Sequence, residues 1–126
     1  MRLLGLVWAG SNSRAIRDAA TQLASVQRQD GGWAQLDTLS SDAYATGEAL
    51  YALFNAGQLT KDGLERGIRF LLNAQHADGS WHVRSRSYPL QPNYFDTGFP
   101  HGRDQWVSAA ATSWACIGLS LGLPNN

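Results

Sequence analysis

Apolar residues recur at helical spacing in four segments of the chain, and they do so in two different manners. Residues 61–74, KDGLERGIRFLLNA, place Leu64, Ile68, Leu71 and Leu72 on one face and keep Lys61, Glu65 and Arg69 off it. This predicts an amphipathic helix with one side to water, capped at its start by Thr60 or Asp62. Residues 14–26 read the same way through Ile16, Ala20, Leu23 and Val26. By contrast, 42–56 (DAYATGEALYALFNA) has no basic residue and is apolar nearly all round, and 106–121 (WVSAAATSWACIGLSL) carries no charge at all. Such helices are expected to be buried on most sides. Amphipathic and apolar segments alternate along the chain, as the outer and inner layers of an all-α fold would.

A repeat underlies this alternation. QRQDGGWAQ (27–35) and QHADGSWHV (75–83) share the frame Gln-x-x-x-Gly-x-Trp, with a spacing of 48 residues. LVWAG (6–10) recurs as LFNAG (53–57), and ATGEALYAL (45–53) as ATSWACIGL (111–119), 66 residues later. A fixed period of this kind marks a stacked architecture in which each unit buries its apolar face on its neighbours. The excess spacing falls in 82–105, the least repetitive part of the chain. A Gln closing an outer helix is expected to use its amide on the last unpaired carbonyls or on a neighbouring helix's first N–H groups. The Trp past the turn would offer a flat surface for that amide.

Composition narrows the partners. The net charge is zero, only 16% of the 126 residues are charged, and no basic run forms a patch, which argues against nucleic acid. The apolar stretches are too short to span a bilayer, so a soluble or peripherally membrane-bound chain is expected. MRLLGLVWAG faintly resembles a secretion signal, but reads better as the end of an inner helix, in a chain that starts inside a repeat unit. The single cysteine, Cys116, excludes an internal disulfide.

Residues 66–81, RGIRFLLNAQHADGSW, resemble the QW repeat of triterpene cyclases such as squalene–hopene cyclase, through Arg66, Gly67, Phe70, Leu71, Gln75, Gly79 and Trp81. The first copy keeps Ala19, Leu23, Gln27, Gly31 and Trp33, but has Asp18 and Gln22 where a base and an aromatic belong. Prenyltransferase-type repeats share the architecture. The resemblance implies a partial α/α toroid of inner and outer helices, one domain over 1–126 with about two and a half helix pairs and a long connection at 82–105. It also implies an apolar cavity suited to an isoprenoid or other apolar ligand, with the remainder of a larger parent protein as partner, and calls for no cofactor.

In that family an Asp-x-Asp-Asp-Thr motif before an inner helix protonates the alkene. Here Asp42 matches its first acid, while Tyr44 and Ala45 stand at the second and third. A phenol with an ordinary pKa of about 10 cannot replace the central acid, and Asp42 reads more simply as a helix N-cap. No catalytic residue is therefore assigned. Tyr44, Tyr51, Trp106 and Trp114 are candidates for cavity lining, against the plainer reading as core. In 82–105, His82, Arg84, Asp96, His101 and Arg103, with Arg86 among them, could form a polar ligand site; the plainer reading is a cover tied down by Arg–Asp pairs. His82, Asp96, His101 and Cys116 lack metal-ligand spacing, so no metal site is assigned. Gly-x-Ser-x-Gly at 118–122 ends a helix and cannot form a nucleophile elbow. Three readings of function follow: a scaffold or isoprenoid-binding module that is inert alone, part of an active cyclase whose acid lies outside this chain, or a toroid whose rim binds protein.

Overall fold

The computed structural model describes residues 2–87 and 95–124. Among them are five α-helices, α1 (Arg2–Trp8), α2 (Ser13–Ser25), α3 (Ala43–Asn55), α4 (Lys61–Ala74) and α5 (Gln105–Ser120), with a single 3-10 turn at Gly102–Asp104 before α5. The only β pairing among them is one isolated bridge, Trp33 to Asp42. Periodicity placed the four longer helices to within one residue at each end. Their starts have chemical causes. Asn12 Oδ1 accepts from the Ala15 N–H at 3.0 Å, Asp42 Oδ1 from Ala45 at 2.8 Å and Thr60 Oγ1 from Gly63 at 3.0 Å. Each side chain satisfies one of the donors that a helix start leaves unpaired.

α1, α3 and α5 form the inner row of a partial α/α toroid, and α2 and α4 lie outside it. α3 is the hub, packing on all four other helices, with α5 as its most extensive neighbour. Ala49, Leu50 and Ala52 are fully buried there. Small residues set the helix separations. A Cβ on Gly47 would stand 2.2 Å from the Trp114 carbonyl oxygen, so α3 and α5 cross almost backbone to backbone. A Cβ on Gly67 would stand 2.9 Å from a Leu50 methyl, which explains the small residue that the repeat keeps at this place on its outer helix. In the first copy that place is Ala19, also buried.

One expectation needs correction. α5 is apolar but not buried on most sides: Trp106 is 54% exposed, Ile117 38%, and Cys116 faces solvent. Hydrophobicity shows that a surface should be covered, not what covers it, and no described helix packs behind that face. None of the described helices is long and apolar enough to cross a membrane.

Candidate functional site

The two Gln-x-x-x-Gly-x-Trp turns are built alike. In the first, the Arg28 N–H donates to the Gly32 carbonyl at 3.0 Å and the Gly31 N–H to Arg28 at 3.0 Å. In the second, His76 donates to Ser80 and Gly79 to His76, both at 2.9 Å. Gly31 (φ 88°) and Gly79 (φ 85°) hold the left-handed conformation that other residues avoid. Asp30 and Asp78 each accept from the N–H two residues on, at 2.9 and 3.0 Å. Trp33 and Trp81 are 2% and 1% exposed.

The hydrogen bonds revise the roles expected of Gln and Trp. The indole, not the amide, takes the outer helix's late carbonyl: Trp33 Nε1 donates to Leu23 at 2.8 Å and Trp81 Nε1 to Leu71 at 2.7 Å. Each Trp backbone N–H then reaches the following inner helix, Trp33 to Thr46 Oγ1 at 2.9 Å and Trp81 to Thr112 Oγ1 at 3.1 Å. These threonines are the equivalent residues of the two ATGEALYAL-like segments. The Gln amide donates back into its own turn, Gln27 to Gly31 at 2.9 Å and Gln75 to Gly79 at 3.0 Å. Gln27 alone also reaches the next outer helix, donating to the Gly63 carbonyl at 3.0 Å.

Arg66 and Phe70 explain why the copies differ upstream. From α4 they grip the previous turn: Arg66 donates to the Arg28 carbonyl, and the Phe70 ring lies over Gly32. Asp18 and Gln22 occupy the corresponding places on α2 and face no such turn among the described residues; Asp18 instead pairs with Arg14 in solvent.

Asp42 is engaged at both oxygens. Oδ1 caps α3, and Oδ2 accepts from Gln35 Nε2 at 2.8 Å. With the amide nitrogen held there, Gln35 Oε1 accepts from Arg86 at 2.7 Å. Asp42 lines a cleft of about 290 Å³ with Gln35, Arg84 and Arg86, and the Gln35 and Arg86 end of this chain of contacts sits where two further clefts meet. One, of about 430 Å³, is walled by Leu23, Val26, Trp33, Tyr44 and Ala49, with Glu48 on its wall. The other, of about 240 Å³, is lined by Arg84, Arg86 and Arg103, Ser85 and Ser87, and the apolar Trp106 and Val107. Gln35 and Arg86 belong to both.

The aromatic candidates divide. Tyr44 and Tyr51 of α3 meet Trp114 of α5 with ring centroids 6.4 and 5.8 Å apart, so these three form one half-buried group. Trp106 lies apart from it, against Phe95 at 6.4 Å.

The polar candidates of 82–105 also separate. Arg84 and Arg103 line the smaller cleft, while Asp96 caps its own loop, accepting from the Gly98 N–H at 2.8 Å. His82 and His101 stack with centroids 4.9 Å apart, and His76 meets His101 edge-on at 4.9 Å. All three histidines of the chain therefore gather at the second turn. His76 and Asp104 were not among the sequence candidates. The carboxylate that ties the segment down is Asp104, bonded to His82 Nε2 at 2.7 Å and to the Ser85 N–H at 2.8 Å. Burial raises its pKa, but those hydrogen bonds and the nearby His82 and Arg84 charges prevail and lower it. His101 is lowered by burial first, then by the charges of His82 and His76. Asp78 is lowered chiefly by hydrogen bonds from the Ser80 side chain and N–H. The Ser80 hydroxyl lies 2.6 Å from both Asp78 Oδ1 and His101 Nε2. Its one proton goes to the carboxylate, so His101 is the donor to Ser80 and does not activate it as a nucleophile. Among the described residues, no group of three His, Cys, Asp or Glu is arranged to hold a metal ion.

Comparison with known proteins agrees with this architecture. Residues 2–104 match the family described as squalene-hopene cyclase C-terminal domain. Protostadienol synthase A of Arthroderma gypseum is 37% identical over 82 residues, 56% of this chain and 11% of the relative. The squalene–hopene cyclase of Bradyrhizobium diazoefficiens is 35% identical over 97 residues, 68% of the chain and 13% of the relative. Drimenyl diphosphate synthase of Streptomyces showdoensis is 32% identical over 87 residues, 68% of the chain and 16% of the relative. The matched region is thus a small part of each relative. With a matched span that takes in both Trp turns and α1 to α4, this chain belongs to the squalene–hopene cyclase C-terminal domain family.

Proposed function

We propose that residues 1–126 form one partial toroid of about two and a half helix pairs that binds an isoprenoid chain as part of a larger protein and does not start a cyclisation by itself. The observation that carries this reading is the cleft of about 430 Å³ walled by Leu23, Val26, Trp33, Tyr44 and Ala49. Its size and the apolar part of its lining suit a small ligand with a hydrocarbon chain, with Gln35, Glu48 and Arg86 lining the rest. Beside it stands Asp42, the one residue matching the acid motif. Both its oxygens accept hydrogen bonds, and Tyr44 and Ala45 occupy the places of the other acids. Protonating an alkene needs a positioned acid with a free proton aimed at carbon, and this arrangement supplies none.

A second reading is favoured by the relatives' names, all synthases or cyclases, and by the small share of their lengths that is matched. In it, the chain is a wall of an active cyclase whose acid lies in sequence outside these residues. Purified protein incubated with squalene tests the first reading, with products read by mass spectrometry. Bound isoprenoid without cyclic product is expected. Turnover that disappears in Asp42→Asn would overturn the assignment of Asp42 as a cap.

A further inference from the structure

We infer that the cleft of Arg84, Arg86 and Arg103 takes the phosphate or diphosphate head of an isoprenoid whose chain lies in the adjoining apolar cleft. The inference rests on the isoprenoid-binding reading above and narrows it to an anionic amphiphile. A chain of zero net charge, with ten lysines and arginines in all, brings three arginines to the wall of one cleft of about 240 Å³ that no carboxylate lines among the described residues. Ser85 and Ser87 add hydroxyl donors to the same wall. Guanidinium groups match phosphate oxygens in a two-point fork, and hydroxyls complete such a shell. Glu48 stands on the wall of the adjoining cleft, while Asp104 and Asp42 are already engaged. Asp104 takes His82 and the Ser85 N–H, and Asp42 takes Gln35 and the α3 cap.

Arg86 is aimed rather than loose. The Asp42 to Gln35 bond turns the Gln35 oxygen toward Arg86, which donates to it and is thereby held at the mouth shared by the two clefts. An anion bound there lies next to the Trp106 and Val107 wall and opens onto the larger apolar cleft. A neutral hydrocarbon would not draw on the positive charge gathered here, and a free inorganic anion would leave the larger cleft empty. A prenyl phosphate ester fills both.

Isothermal titration of the whole chain with farnesyl diphosphate, farnesol, inorganic pyrophosphate and phosphatidylcholine vesicles containing phosphatidylglycerol separates the alternatives. Farnesyl diphosphate is expected to bind at least about tenfold more tightly than either farnesol or pyrophosphate, with affinity falling as salt rises. Arg84→Gln, which lines the smaller cleft and not the larger, should weaken farnesyl diphosphate about tenfold and leave farnesol unchanged, with an unaltered circular dichroism melt. Equal affinities for farnesyl diphosphate and farnesol would overturn the head site while leaving the isoprenoid reading intact. Pyrophosphate binding as tightly as farnesyl diphosphate would show an anion site without a chain site, and would overturn both. Binding to the anionic vesicles alone would assign the arginines to a membrane surface and overturn the inference.

Discussion

The two Trp turns have the same internal hydrogen bonds and opposite surroundings. The first is sealed by α4. Gly31 lies so close under the Arg66 carbonyl that a Cβ there would stand 2.3 Å from its oxygen, and Arg66, Phe70 and the second Gln27 bond close the seam. The second has no following outer helix among the described residues, and the only atom within reach of a Cβ on Gly79 is the Gln75 amide nitrogen, at 4.0 Å. Its flank is covered instead by the 95–104 segment through the three histidines. The indole seat is therefore intrinsic to each repeat, whereas the Gln and Gly positions gain their energetic weight from the neighbour they meet.

Substituting the two glycines should break the symmetry most clearly. Both hold positive φ, so alanine at either is strained by about 1 kcal/mol. At Gly31 the methyl also collides with backbone, which cannot rotate aside, so Gly31→Ala should lose about 3 kcal/mol in urea melts. Gly79→Ala should lose about 1 kcal/mol. Equal losses at the two sites would mean that α4 does not press on the first turn as described.

The glutamines should show the same inequality at smaller scale. Gln27→Ala removes two hydrogen bonds in a partly buried seam and should lose about 1–2 kcal/mol. Gln75→Ala removes one exposed bond and should lose less than about 0.5 kcal/mol. The acceptor of the inter-helix bond is the backbone carbonyl of Gly63, so the comparison of the two glutamine variants is itself the test; equal losses would show that this bond carries no weight.

These differences mark how far the sequence could be read. Helices, caps and the Gln-x-x-x-Gly-x-Trp frame were legible because each rests on local spacing: 3.6 residues per turn, a cap three residues from its acceptor, a period of 48. The second copy's Arg66 and Phe70 were visible as motif residues, but the turn they grip lies on the previous repeat, a contact no local pattern states. The indole rather than the amide took the outer helix's late carbonyl for a related reason, since a sequence names donors and not which acceptor each one reaches. The His76–His101 contact joins residues from two ends of the irregular segment, where no periodicity constrains their approach. Arg84, Arg86 and Arg103 were named together as candidates for a polar site, but only the fold separates them from Asp96, which bonds within its own loop, and from the stacked His82 and His101. The exposed face of α5 was misjudged because an apolar stripe is the same whether or not its cover is present.

The smallest effect, and the most selective, should come from pH. No histidine lies in the first seam, and all three lie at the second. His101 has a lowered pKa in the folded chain, from burial first and then from the charges of His82 and His76, against opposing pulls from Asp78 and Asp104; Arg84 adds positive charge near Asp104. The folded state thus binds fewer protons than the unfolded one as pH falls below the ordinary value of 6.5. The neutral His101 contribution is complete above that value and is lost on descending through it. Asp78 and Asp104 act lower down. Their pKa values are depressed from 3.8, so their contributions persist until the pH falls below that range. Between about pH 7.5 and 5 the response should therefore come from His101, and the solvent-open site should limit the global loss to below about 1 kcal/mol. Amide exchange resolves so small a change, once corrected for the intrinsic pH dependence of exchange. Protection at Ser80 and Trp81 should drop several-fold at pH 5 relative to pH 7.5, with Gly32 and Trp33 unchanged, and His101→Gln should abolish the difference. A drop shared equally by both turns would trace the pH effect to the whole fold and dissolve the distinction between a seam closed by a helix and one closed by histidines.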